Sequence, residues 1–454
     1  MTGPHTGMPT SRRVDVLVIG AGPAGLAAAA RLAAAGAGRV EVLEREAEAG
    51  GVPRHCAHGG FGTWPHPLTG PRYARLLTEA AARAGAVIRT GVTVLDWATA
   101  EPAPKAPVGG VPAGCAAVSD GSGRRVSAGS AGPGAERGPV LVAVGPGGFE
   151  TVEARAVVLA TGARERPRAA RLVPGTRPAG VYTTGELQQA VHLFGQWVGT
   201  RAVVVGAEDV SYAAAATVRA AGAEVVALVT EHPRAQTGRA RARSARLRDR
   251  VPLLTHTTVT ELLGHGRLSG VRVRHRDGRT AVLACDTVVF TGDFVPDQEL
   301  ARRGALALDP GTRGPAVDGA LHTSRPGVFA AGNVLHAVER AGAAADEGAR
   351  VAGAVLDFLA GAPWPDPGLP LTVEAPLRWI APNRVNPGAP PARYVLRTHA
   401  PLTRPVLRVH QDGRLLHHTR PALGTVLPNR TLALTARWTG QVDPEGGVVV
   451  VGVG

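Results

Sequence analysis

One short stretch near the start constrains this chain more than anything else in it. The apolar run Val14–Ile19 ends in Gly20-Ala-Gly22-Pro-Ala-Gly25, and an alanine-rich segment, Leu26–Ala35, follows before Gly36. A short apolar run closed by glycine reads as a buried parallel strand, the alanine-rich segment as a helix, and Val40–Leu43 as a second strand. Glycines at this spacing between strand and helix suit a dinucleotide. Gly20 permits the tight turn, Gly22 lets the main chain approach a pyrophosphate, and Gly25 lets helix and strand pack closely. The helix start, reached through Pro23 and Ala24, then offers unclaimed N–H groups and a partial positive charge to phosphate. Glu44 ends the second strand, with Arg45 beside it, and sets a carboxylate where a ribose hydroxyl can donate to it.

The same pattern recurs. Arg201–Gly206 reads as another strand and turn, Ser211–Ala221 as a helix and Val225–Val229 as a strand, so two nucleotide-fold units lie about one domain apart. Between them the reading gives a helix over Pro71–Gly85, a strand over Val87–Leu95, and a Gly/Pro/Ala/Ser-rich insertion over 101–139 at a hairpin tip. A strand at Pro326–Ala331 and a helix over Ala341–Leu359 close the α/β part. Beyond the proline-rich 362–370, short β-type runs alternate with turns. The expected fold is α/β: residues 12–195 and 296–361 form one Rossmann-like dinucleotide-binding domain, 196–295 a second, and 371–454 a small all-β module.

Composition removes several classes. The chain is 44% hydrophobic and 19% charged, ordinary for a globular protein, and no apolar run reaches the length that spans a membrane. The first strand is too short and too glycine-bounded for a signal peptide. Cys56, Cys115 and Cys285 are too dispersed for a disulfide framework or a metal site, and a cytoplasmic protein is expected. The net charge of +14 rests almost wholly on arginine. It attracts polyanions without specifying a nucleic-acid fold, so no nucleic-acid partner is inferred. The dense run Arg234–Arg250 reads as a solvated face.

Three further motifs resemble one superfamily. Glu44 followed by Gly50-Gly51 resembles the E-x₅-GG signature of FAD-dependent enzymes with two dinucleotide folds. Val157-Val-Leu-Ala-Thr161-Gly162 resembles their ATG motif, and Thr323-Ser-Arg-Pro-Gly327-Val-Phe-Ala-Ala-Gly332-Asn333 their late motif, in which the last position is usually Asp. Over residues 14–360 the chain thus resembles the pyridine nucleotide–disulfide oxidoreductase superfamily. The resemblance implies an FAD cofactor held by Gly20, Gly22, Pro23, Ala24, Gly25, Glu44, Arg45, Gly51, Thr161, Gly162, Gly332 and Asn333. Asn333 keeps hydrogen bonding and loses the charge.

Two departures count against the superfamily's usual chemistry. The second turn reads Gly206-Ala-Glu208-Asp209-Val-Ser211, placing a carboxylate where a pyrophosphate would approach. Like charges at contact distance cost a few kcal/mol, which speaks against NAD(P) there and leaves a scaffold or another ligand. Cys56 has no cysteine partner nearby, which argues against dithiol chemistry. Its surroundings, Arg54-His55-Cys56-Ala-His58, admit a lowered thiol pKa beside positive charge, a seat for a substrate carboxylate or phosphate, or a polar loop over the flavin. A metal site lacks a fourth ligand. His55, Cys56 and His58 are the candidate catalytic residues.

That segment, with Ala160–Pro167, resembles the FAD-containing components of multi-subunit amine, amino-acid and glycerol-phosphate-type dehydrogenases, related to the α chains of sarcosine oxidase-like enzymes. The resemblance implies two partners, a second dehydrogenase subunit plus a small electron-transfer protein. The expected function is an FAD-dependent oxidoreductase within a small-molecule dehydrogenase system. A stand-alone NAD(P)H-dependent reductase and a non-catalytic flavin-bearing scaffold remain as alternatives.

Overall fold

The structure, a computed structural model, describes residues 10–63, 65–98, 138–387, 393–420 and 424–454. The first sheet runs in the order Val87–Arg89, Val40–Leu43, Thr10–Ile19, Gly148–Leu159, Val140–Gly145, Thr93–Trp97, and Val328–Ala330 also pairs with Gly148–Leu159. Its central strands are parallel and buried on both faces, and for that reason they read as unbroken apolar runs.

The opening strand starts at Thr10, four residues before its apolar run. Thr10–Arg13 pair with Glu150–Glu153, and Arg12 reaches Glu150 at 2.9 Å and buried Glu41 at 2.5 Å. These ion pairs compensate a carboxylate that burial would otherwise penalise. The single strand expected over Val87–Leu95 is two strands, Val87–Arg89 and Thr93–Trp97. The chain breaks at Gly91, whose φ of +67° no strand residue adopts. The expected insertion falls outside the described residues up to position 137, as does Cys115. Its flanking strands, Thr93–Trp97 and Val140–Gly145, pair antiparallel.

The helix Pro23–Ala34 packs on Ala341–Leu359 by backbone contact. A Cβ at Gly348 would stand 1.9 Å from the Ala24 carbonyl oxygen, so only glycine allows that approach. This contact delivers the return segment to the first turn.

A second, five-stranded parallel sheet runs in the order Val181–Thr183, Thr287–Phe290, Arg201–Val205, Glu224–Val229, Leu253–Leu254. The antiparallel strands Thr257–His265, Arg267–His275 and Thr280–Ala284 follow. The ribbon of Ala163–Glu165 against Phe294–Pro296 links the two sheet systems. From Leu369 onward the described chain is strands apart from a 3-10 turn at Thr439–Gln441. A five-stranded and a three-stranded sheet there enclose their own core around Leu407, Val409, Trp438 and Val451. No helix among the described residues is long and apolar enough to cross a membrane.

Candidate functional site

The first glycine turn is stripped to main chain wherever something must approach. A Cβ at Gly20, whose φ is +102°, would meet the Ala160 carbonyl oxygen at 2.4 Å, and one at Gly25 would meet the Gly20 oxygen at 1.9 Å. At Gly22 a Cβ would find nothing within 4 Å. Gly20 and Gly25 are therefore glycine for packing, whereas Gly22 is glycine beside open space. The helix from Pro23 has no side-chain cap, so its first-turn N–H groups face that space unclaimed.

The other expected cofactor residues gather on this helix start. Gly51 lies on the turn, with its notional Cβ 2.8 Å from the Gly22 Cα, and the Gly50 amide donates to the Ala21 oxygen at 2.8 Å. Gly332, at φ +81°, abuts Ala24 from the return segment. Buried Glu44 accepts from the Ala21 amide at 2.7 Å and from the Glu46 amide at 3.0 Å, one bond per oxygen, leaving lone pairs for further donors. Arg45 is exposed and pairs with Asp297 at 3.4 Å. Thr161 donates to the Asp297 carbonyl at 2.7 Å, and the Gly162 oxygen accepts the Asp297 amide at 2.9 Å. Sequence reading missed Asp297, which has no motif around it.

Asn333 closes a loop. Its Nδ2 donates to the Glu339 carbonyl at 3.0 Å and its Oδ1 accepts the Glu339 amide at 2.9 Å. An ionised Asp could accept but not donate, so the change from the usual residue strengthens the turn's own closure. Glu347 supplies a carboxylate nearby, accepting from the Gly332 amide at 3.0 Å and meeting His336 Nε2 at 3.0 Å. Burial works against its ionisation, but His336 and Arg350 hold its carboxyl below the usual range.

Beside Gly51, the segment Val52–His55 forms a 3-10 turn against the helix Thr184–His192. His55 is buried with Nε2 unpartnered. Burial, then neighbouring Arg54 and His192, push its pKa down to about 4, so the ring is neutral at pH 7. Of the alternatives open for this segment, the surroundings of Cys56 do not favour the lowered thiol pKa. Cys56 is buried, donates to Gln188 Oε1 at 3.4 Å, and burial with the Glu165 carboxylate pushes it up to about 12. His58 sits partly exposed, stacked on Phe61 at 5.5 Å. Among the described residues no His, Cys, Asp or Glu group is placed to hold a metal.

Glu165 behaves differently from the two arginines that flank it. Arg164 is exposed and Arg166 pairs with Asp293, but Glu165 turns inward. It accepts from the Gly185 amide at 2.9 Å and the Gly292 amide at 3.2 Å, and burial outweighs these bonds to push its pKa up to about 7. Glu165, Gln188 and His192 join His55 and Cys56 only through the fold.

The second turn differs. The Glu208 side chain folds back rather than outward: Oε2 accepts from the Ala207 amide and Oε1 from the Thr291 hydroxyl, both at 3.2 Å. Ser211 Oγ accepts the Glu208 amide at 3.2 Å and lies 2.6 Å from Thr291 Oγ1. Burial raises the Glu208 pKa.

A bare glycine turn on a parallel sheet, with a buried carboxylate behind it and a second such unit downstream, defines a flavoprotein oxidoreductase scaffold of the Rossmann type. The chain belongs to the pyridine nucleotide-disulphide oxidoreductase family, whose model matches residues 14–348. It is similar to an opine oxidase subunit of Agrobacterium tumefaciens (strain Ach5), 34% identical over 213 residues, 46% of this chain and 35% of that one. It also matches the alpha subunit of sarcosine oxidase from Corynebacterium sp. (strain P-1), 29% identical over 347 residues, 73% of this chain and 32% of that one. The chain thus spans about a third of the length of these two relatives. In fold it is similar to T. acidophilum thioredoxin reductase, with a TM-score of 0.60 at 23% identity over 76% of this chain and 99% of that one.

Proposed function

We propose that the protein is the flavin-bearing component of a small-molecule dehydrogenase or oxidase acting on an amine, amino acid or hydroxy compound. Residues 12–195 and 296–361 form the flavin domain in this reading, 196–295 a scaffold unit and 371–454 an attached β module. The observation that carries it is Gly22, glycine beside open space at an uncapped helix start, with Glu44 behind it. Gly20, Gly25, Gly51, Thr161, Gly162, Gly332 and Asn333 complete the cofactor cradle, and Arg45 closes its rim through Asp297.

Bound FAD supplies a two-electron acceptor. The chain's own residues bind and orient it and shape the substrate side. His55, neutral and buried with Nε2 unpartnered, is the group fitted to accept a hydrogen bond from a donor on the substrate or the flavin. His58 lines the outer edge, and Cys56 serves as a neutral wall. Glu208 satisfies the second turn's donors internally, so electrons enter from the small molecule rather than from NAD(P)H. They leave to a second protein of the same enzyme or to a small electron-transfer protein, in a cytoplasmic setting. The test is anaerobic reduction of the purified flavoprotein, followed near 450 nm, by NADH, NADPH, N-methyl amino acids, opines and L-proline. The reading expects bleaching by one of the latter compounds and slow reduction by the nucleotides. Rapid bleaching by NADPH alone sinks it.

A further inference from the structure

We infer that the C-terminal β module is a working part of the flavin site, with Arg397 positioning the Gly332–Glu339 turn through Glu339. The inference rests on the proposal above that this turn holds FAD. It starts from a costly arrangement. Arg397 on the strand Tyr394–Thr398 and Glu339 after the late motif are 3% and 8% exposed, and they pair directly. Removing a guanidinium and a carboxylate from water costs more than packing two apolar groups, so a buried pair stabilises a fold poorly and orients it well.

What this pair orients is specific. Glu339 is the residue whose main-chain amide and carbonyl both bond Asn333. Thr431, also from the β module, donates to the same carboxylate at 3.0 Å. A parallel line of contact runs through rings. Arg397 lies over Trp379 at 5.2 Å, Trp379 stacks on His336 at 6.0 Å and 11°, and His336 bonds Glu347, which accepts the Gly332 amide. Arg397 therefore reaches both ends of the turn: Asn333 through Glu339, and Gly332 through Trp379, His336 and Glu347. Between them Ala337 sits at φ +69°, a conformation alanine adopts only under constraint. Within residues 332–339 the buried Glu339 carboxylate is met by an arginine of the β module rather than by a cation of the α/β part.

Arg397 is thus a positioning residue, and its removal changes how the cofactor is held, not only how stable the chain is. The test uses the full-length protein, measuring FAD affinity by fluorescence quenching and flavin environment by visible circular dichroism. Arg397→Met strands the Glu339 carboxylate, and FAD affinity falls by about tenfold or more with an altered visible band. Thr431→Val creates no unpaired buried charge and weakens FAD binding by about threefold. Arg397→Lys keeps the charge and recovers part of the loss, without restoring the wild-type visible spectrum, because the planar fork over Trp379 is gone. If Arg397→Met does not fold, the other two variants decide. Wild-type FAD affinity and visible spectrum in both Thr431→Val and Arg397→Lys overturn the inference. A wild-type protein that binds no FAD overturns instead the reading on which it rests.

Discussion

At the turn after Ile19, the second glycine of the motif is Gly22, with nothing within 4 Å of where a Cβ would stand. At the turn after Val205 the same position is Glu208, and its carboxylate takes the Ala207 amide and the Thr291 hydroxyl. Both turns follow buried parallel strands and open helices of the same length, Pro23–Ala34 and Asp209–Ala220. The scaffold is therefore common to both, and the difference lies in who claims the turn's hydrogen-bond donors. In the first unit they stay free for a ligand. In the second, Glu208 and Ser211 satisfy them internally. A nucleotide fold need not leave its turn's donors free, and one side chain makes that difference here.

The sharpest way to break this comparison is to give the first turn a side chain. A Cβ at Gly22 meets no protein atom within 4 Å, so Gly22→Leu is expected to fold with its thermal midpoint little changed. FAD affinity should fall about a thousandfold, or about 4 kcal/mol, read by flavin content after gel filtration and by titration. A colourless but unfolded variant would mean that Gly22 serves packing as Gly25 does, and the contrast between the two turns would lose its basis.

Titration sharpens the comparison next, because oppositely shifted groups flank the two units. His55 beside the first turn has its pKa lowered from 6.5 to about 4, so the unfolded chain binds the proton first. Stability is lost as pH falls from 6.5 to about 4, by about 3 kcal/mol in full. Glu165, between the sheets, is raised from 4.5 to about 7, so the folded chain holds the proton longer. Stability is lost as pH rises from 4.5 to about 7, by a similar about 3 kcal/mol. The two slopes nearly cancel in the wild type between pH 4.5 and 6.5. Denaturant midpoints should rise with pH across that window in Glu165→Gln and fall in His55→Gln. Identical slopes in both variants would refute the assignment.

A smaller effect is expected at the second turn itself. Glu208→Gly frees the Ala207 amide and removes the resident carboxyl group. NADPH affinity should improve about thirtyfold, about 2 kcal/mol, measured by quenching of flavin or tryptophan emission. An unchanged affinity would show that the second unit is closed by more than Glu208, with the Asp209–Arg340 pair at 3.4 Å the next group to remove.

What sequence alone revealed divides along the same line. The strands, both turns and Glu44 were legible because their causes are local: apolar runs, glycine spacing and a carboxylate at a strand end. The extension of the first strand to Thr10 was not, because Arg12 is held by Glu41 and Glu150, distant in the chain. The direction of Glu208 depended on Thr291, and the closure of Asn333 on Glu339 and thence on Arg397. Glu165 was not legible as a buried carboxylate, because nothing local records the Gly185 and Gly292 amides that turn it inward. In each case an acceptor met its donor only after the sheets had assembled.

Cys56 is where that lesson gives its smallest but cleanest prediction. Its sequence neighbours, Arg54, His55 and His58, suggest a stabilised thiolate, yet burial and Glu165 leave a neutral thiol bonded to Gln188. The thiolate fraction at pH 8 is about a thousandfold below that of an ordinary thiol, since the shift from 9.0 to about 12 spans three decades. Iodoacetamide should therefore leave Cys56 unmodified in the folded protein and label it after unfolding, as peptide mapping can read. Cys56→Ser preserves the small buried volume and the donor to Gln188, and costs about 1 kcal/mol or less. The rate of flavin reduction by whichever small molecule bleaches it should then change by less than about twofold. A loss of ten- to a hundredfold in that rate, with the fold intact, would return the first unit's chemistry from the cofactor cradle to the cysteine.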